Sequence, residues 1–176
     1  FVASTAWRMA ADGGSTAAMF SLGALLEEAD PPELDGARTW WQKAASAGNL
    51  EAMVSLGVLL KEADPPDLEG ARTWWQKAAD IGHPKAMNNL GVLLKEADPP
   101  DLDGARTWYA RAAGAGLTGA MNNLGLLLTD ADPPDLAGAL SWWRKAADAG
   151  NAEAMMNLAW FSAHTDPPNV DGALNI

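Results

Sequence analysis

The side chains best suited to chemistry are two histidines, His83 and His164, and 23 acidic residues set against 12 basic ones. A histidine metal site needs several ligands converging on one point, and the two histidines occupy different places in the repeat and are not paired at helical spacing. The absence of cysteine removes disulfides, thiol catalysis and Cys-ligated zinc. No glycine-rich phosphate loop follows a strand pattern. The carboxylates themselves form a ladder: Glu28, Asp30, Glu33 and Asp35 recur as Glu62, Asp64, Asp67 and Glu69, then as Glu96, Asp98, Asp101 and Asp103. A divalent cation needs several oxygens converging on one point, and a single row per unit supplies few. Asp67 and Glu69 suit a helix start, where a negative charge contributes about 0.3–1 kcal/mol, and Asp64 before two prolines can close an Asx-type turn. The expectation is a non-enzymatic chain with no catalytic residue, metal or cofactor. His83 is expected at a helix cap and His164 at the end of the last first helix. The acidic edge reads as a structural and solubility device, with a cation or a basic partner as the alternative.

The chain of 176 residues carries a net charge of −11 and a pI near 4.4. That field opposes polyanions, so nucleic acid and anionic membrane surfaces are not expected partners. No uninterrupted apolar run approaches the roughly 18 residues of a membrane span, and the start, from Phe1 to Trp7, has no signal-peptide pattern. Both ends fall inside a repeat, so the compartment stays open, with a soluble, cytoplasmic chain as the working expectation. With 48% hydrophobic and 20% charged residues, there is material for a sizeable core.

The elements that must position these residues repeat. Trp7, Trp41, Trp75, Tyr109 and Trp143 are separated by 34 residues each, as are Gly14, Gly48, Gly82, Gly116 and Gly150, and Pro31, Pro65, Pro99, Pro133 and Pro167. One unit runs from Asn49, a good N-cap, through a helix with Ala52, Met53, Leu56, Gly57, Leu59, Leu60 and Ala63 on its inner face. Pro65-Pro66 stops that helix. Asp67 starts a second one with Leu68, Ala71, Trp75, Ala78 and Ala79 inward, and Gly82 ends it. Trp75 points to the partner helix of its own pair, while Trp74 with Ile81 flanks the seam to the next repeat. The expected organisation is one array over 1–176: a partial repeat 1–14, full repeats 15–48, 49–82, 83–116 and 117–150, and a partial terminal repeat 151–176. A single pair cannot bury its apolar face, so stacking must supply the core.

The run Trp74-Trp75-Gln76-Lys77-Ala78-Ala79-Asp80-Ile81-Gly82, followed by Ala86 and Leu90-Gly91, resembles the signature of Sel-1-like repeats, relatives of the tetratricopeptide repeats. The match recurs in every unit. The link Ala63-Asp64-Pro65-Pro66-Asp67 is about two residues shorter than the family's glycine-rich link. The expected fold class is all-α, a right-handed α-solenoid of stacked antiparallel helix pairs. The resemblance implies that first helices line a concave surface, and that the chain is an adaptor for protein complexes without catalysis.

Because identical positions are explained by packing, ligand information should sit where units differ. On the first-helix face opposite the core, these positions are Val54, Ser55, Val58 and Lys61, then Asn88, Asn89, Val92 and Lys95, then Asn122, Asn123 and Leu126, and finally Asn157 and Trp160. Asparagine is poor in helix interiors, yet it is paired in consecutive units. A protein or peptide groove would use the amides on the partner's backbone, the apolar positions on its side chains and the lysines on an acidic group. Alternatively, the asparagines were copied by duplication, or Asn89 and Asn123 bond between neighbouring helices. Trp160 is either a ligand-gripping aromatic or a bulky residue closing the array's end. Against the adaptor stand a self-assembling or engineered array joined end to end, without a specific ligand, and a sensor segment of a larger protein.

Overall fold

A computed structural model describes residues 2–164, with side chains from residue 5 onward. Pro167 and the rest of the expected terminal repeat lie outside the described residues. Among the described residues there are ten helices and no strand: α1 Val2–Asp12, α2 Thr16–Glu27, α3 Leu34–Ser46, α4 Leu50–Lys61, α5 Leu68–Asp80, α6 Pro84–Lys95, α7 Leu102–Gly114, α8 Thr118–Thr129, α9 Leu136–Asp148 and α10 Ala152–His164. The chain divides into two compact units, Phe1–Ala86 and Met87–Ile176.

Local chemistry sets the helix ends. The Asn49 side chain accepts from the Ala52 N–H, Asn151 from Ala154, and Ser15 from Ala18, each satisfying an orphan donor of the first turn. Asp67, Asp101 and Asp135 do the same for the second helices, accepting from Gly70, Gly104 and Gly138 at 2.8–2.9 Å. At the other end, Gly48 takes φ +91° and Gly82 φ +97°, the left-handed region where a Cβ is penalised. The backbone then folds back, with the Asn49 N–H on the Ala44 carbonyl and the His83 N–H on the Ala78 carbonyl. Among the described residues each Pro-Pro link is closed by a backbone bond across it, such as Asp67 N–H to the Leu60 carbonyl at 2.8 Å. That bond, rather than an Asx turn at Asp64, shapes the link.

Within the first unit the core comprises Ala52, Met53, Leu56 and Leu60 of α4 against Ala71, Trp75, Ala78 and Ala79 of α5, with Trp41 filling the same role in α3. In the second, Tyr109, Leu124, Leu127, Leu128 and Trp143 pack among alanines of α7, α9 and α10. The alanine columns bring helices close enough for one aromatic ring per pair to fill the remaining volume, and burying such a ring contributes roughly 1.5–3 kcal/mol or more.

Each buried ring meets a glycine. The Trp75 indole N–H donates to the Val54 carbonyl at 3.1 Å, Trp41 to Phe20 at 3.1 Å and Trp143 to Asn122 at 3.3 Å. The accepting residue lies three positions before Gly57, Gly23 or Gly125, and a Cβ on any of those glycines would fall inside the indole. The Leu-Gly of the repeat is therefore a notch that lets the ring reach helix backbone.

Two placements differ from expectation, Leu68 on the inner face and Ile81 at the seam. Leu68 is 47% exposed: it is the first residue of α5, directly after Asp67, whose N–H bonds the Leu60 carbonyl at the α4 end. Ile81 is 68% exposed: as the C-cap of α5 it projects past the packed faces, and Trp74 alone of that pair is half-buried. The Trp74 ring instead carries the Lys77 ammonium at 4.3 Å, a cation–π arrangement that Trp40 and Lys43, Trp108 and Arg111, and Trp142 and Lys145 repeat.

Candidate interaction surfaces

The first-helix face is built from positions that the aromatic notch leaves unused. In the first unit, Val54 is buried beside the indole that its carbonyl receives, whereas Ser55, Val58 and Lys61 are half-buried. In the second, Asn88, Asn89, Val92, Asn123, Leu126 and Asn157 are half-buried, and Lys95 and Trp160 are exposed. Asn122 is 2% exposed and does not stand on an open face.

The asparagines join helices sideways. The Asn123 Nδ2 donates to Asn88 Oδ1 at 3.0 Å, linking α8 to α6, and Asn157 Nδ2 donates to Asn122 Oδ1 at 2.8 Å, linking α10 to α8. Asn122 in turn donates to Glu153 Oε2 at 3.1 Å. Both ends of its buried amide are thus engaged, as burial of a polar group demands. The inter-helix pairing runs Asn88 to Asn123, not Asn89 to Asn123. Among the described residues, Asn89, the Asn88 amide N–H groups and the Asn123 and Asn157 carbonyls have no protein partner. Trp160, 62% exposed, stacks on His164 at 4.5 Å between ring centroids.

His83 sits directly before Pro84 at the α6 start, with Nε2 3.2 Å from Glu51 Oε1, while Lys85 Nζ lies 3.7 Å from Glu51 Oε2. His164 is the last residue of α10. Among the described residues no three His, Cys, Asp or Glu side chains converge as a metal site. The acidic edge has shape as well as charge: a cavity of about 390 Å³ opens in the first unit where Glu27 and the start of α3 face the end of α4 and its link. The acidic ladder pointed toward this edge, but Arg38, Leu34 and Leu59 in its wall were not among the sequence candidates. The signal available was Glu27, which occupies a column holding Lys61 and Lys95 later in the chain.

Stacked antiparallel pairs with a glycine-notched aromatic column define a helical-repeat protein of the all-α solenoid class. The Sel1 repeat model matches residues 16–49, 50–83, 84–117 and 118–151, and the chain belongs to the Sel1 repeat family. Among solved structures, a Sel1 repeat protein from Oxalobacter formigenes is similar with a TM-score of 0.80 and 26% identity, over 92% of this chain and 67% of that one. The protective antigen c5321 of uropathogenic Escherichia coli, which displays an SLR fold, gives 0.75 and 23% over 97% and 39%. The immunity protein Pa5087 from Pseudomonas aeruginosa gives 0.62 and 18% over 97% and 65%. This chain thus spans between 39% and 67% of the length of these three proteins, and the latter two share the fold alone. No protein of curated function matches it in sequence. Sel1 repeat proteins are in general non-catalytic scaffolds for protein interactions. Among the described residues no helix is long and apolar enough to cross a membrane.

Proposed function

We propose that this chain is a scaffold that holds a partner protein or peptide on its first-helix face, through the second unit in particular. The observation that carries the reading is the asparagine ladder. Its inter-helix bonds use one end of the half-buried Asn88, Asn123 and Asn157 amides and hold the other end in place without a partner. An amide fixed this way loses little rotamer entropy on binding, and it can donate to or accept from an extended backbone. Asn88, Asn89, Asn123 and Asn157 are the backbone-reading groups. Val92, Leu126 and Trp160 supply apolar contacts, and Lys95 meets an acidic group. In the first unit Ser55, Val58 and Lys61 occupy the matching positions. Val54 and Asn122 support the face from beneath.

The test is affinity capture from source lysate with two baits, the chain itself and a variant carrying Asn89→Ala, Asn123→Ala and Trp160→Ala. Helix content and melting temperature are checked first. A protein captured by the first bait and lost by the second supports the reading and identifies the partner. Equal capture moves the site away from this face. Capture of nothing but the chain itself replaces the scaffold with a self-associating array.

A further inference from the structure

We propose that the cavity at the acidic edge of the first unit is a further binding site that accepts an arginine- or lysine-bearing segment of a partner protein with an apolar residue beside the cation. Part of the lining is apolar: Leu34 from the start of α3, and Leu59 and Leu60 from the end of α4. Four carboxylates rim it, Glu27 from α2, Asp35 from α3, and Glu62 and Asp64 from the α4 end, against the single guanidinium of Arg38. Among the described residues none of these five charges has an ion-pair partner. About 390 Å³ falls within the 300–1,000 Å³ range of ligand clefts, large enough for a long side chain and its neighbour.

Two observations narrow the occupant. The carboxylates do not converge into a metal-binding group among the described residues, so the rim suits a delocalised or extended cation better than a divalent ion. A long cationic side chain also carries an apolar stem, which matches leucines in an acidic lining. Then the column of Glu27 changes sign, to Lys61 and Lys95, one and two repeats later. A charge placed only for solubility would not need to reverse at the one position that completes this rim. Leu34 is 49% exposed, as are Leu68, Leu102 and Leu136 at the same repeat position to a similar degree, and here that apolar surface borders the acidic cavity where such a ligand would cover it.

The experiment uses the full chain and a fluorescein-labelled hexapeptide of alternating leucine and arginine, followed by anisotropy. Peptides of glycine with arginine and of leucine with glutamate serve as counter-probes. The expected result is that leucine–arginine binds, and that Glu27→Lys weakens it about tenfold or more. Leu34→Ser should erase its advantage over glycine–arginine, while Asp98→Asn leaves it unchanged. Because later repeats carry lysine at the Glu27 position, that variant should keep its helix content, which circular dichroism verifies. The proposal is overturned by absence of binding, by equal binding to wild type and Glu27→Lys, or by equal losses in Glu27→Lys and Asp98→Asn, which would mean diffuse attraction. Displacement of the peptide by calcium chloride, but not by sodium chloride of equal ionic strength, would also overturn it in favour of a metal site.

Discussion

The α4–α5 pair and the joint between Gly91 of α6 and Tyr109 of α7 solve the same packing problem with different rings. In the first, the Trp75 indole enters the notch at Gly57 and donates to the Val54 carbonyl. In the second, Tyr109 enters the notch at Gly91, where a Cβ would lie 2.6 Å from its Cε1, and it has no ring N–H to offer the Asn88 carbonyl. Both rings are buried to the same degree. The constant element is the missing Cβ, and the hydrogen bond is an addition that one joint does without. Phe20, Val54 and Asn122 differ widely in side chain, yet each offers an indole the same backbone carbonyl.

The comparison can be broken most forcefully by removing the rings. Trp75→Ala and Tyr109→Ala should each cost about 3–5 kcal/mol in urea denaturation, because both empty a filled notch. A much smaller loss at Tyr109 would mean that its joint is held by something else. The second difference is ionisation. Burial, and after it the negative charge of Glu96, pushes the Tyr109 hydroxyl from 10.0 up to about 12. As the chain has one tyrosine, tyrosinate absorbance reports this group alone, and the midpoint should fall toward 10 in urea. The sign follows from which state ionises first. Below pH 10 both states keep the proton and Tyr109 leaves stability unchanged with pH. Between 10 and about 12 the unfolded chain loses it first, so stability declines as pH rises through that window.

A smaller effect isolates the hydrogen bond. Trp75→Phe should cost about 1 kcal/mol more than Tyr109→Phe, beyond any volume term, because it alone removes a hydrogen bond to a buried carbonyl. Calorimetry showing equal losses would make the indole bond energetically silent. The smallest effect concerns the half-buried rings next door. Lys77→Met beside Trp74 and Arg111→Met beside Trp108 should each cost about 0.5–1 kcal/mol, read as small shifts in urea midpoint that shrink in high salt.

Much of this architecture was legible beforehand. Asn49, Asp67, Gly82 and the Pro-Pro links marked helix ends because their effects are confined to a few backbone groups nearby, and the 34-residue step carried those signals through every repeat. The inward direction of Trp75 followed from helical spacing. Leu68 did not follow, because a wheel assigns a face without saying how much of it the neighbouring elements cover at the first turn. The candidate face was legible as a column of asparagines but not as a bonded ladder. Nothing local distinguishes Asn88 from Asn89 as the partner of Asn123, since a difference of one residue turns the side chain by about 100°.

The sequence by itself determined the repeat, its helix pairs, their caps and the aromatic column, and hence the family. These depend on local conformational preference and on a periodicity that repetition amplifies. Tertiary structure alone decided that Asn122 is a buried bridge between Asn157 and Glu153, that Val54 lies beneath its face, and that Leu34 and Glu27 share a cavity with residues some thirty positions further on. Those outcomes depend on how far one helix extends past another and on which side-chain ends meet, and both are set by packing between segments distant in the chain.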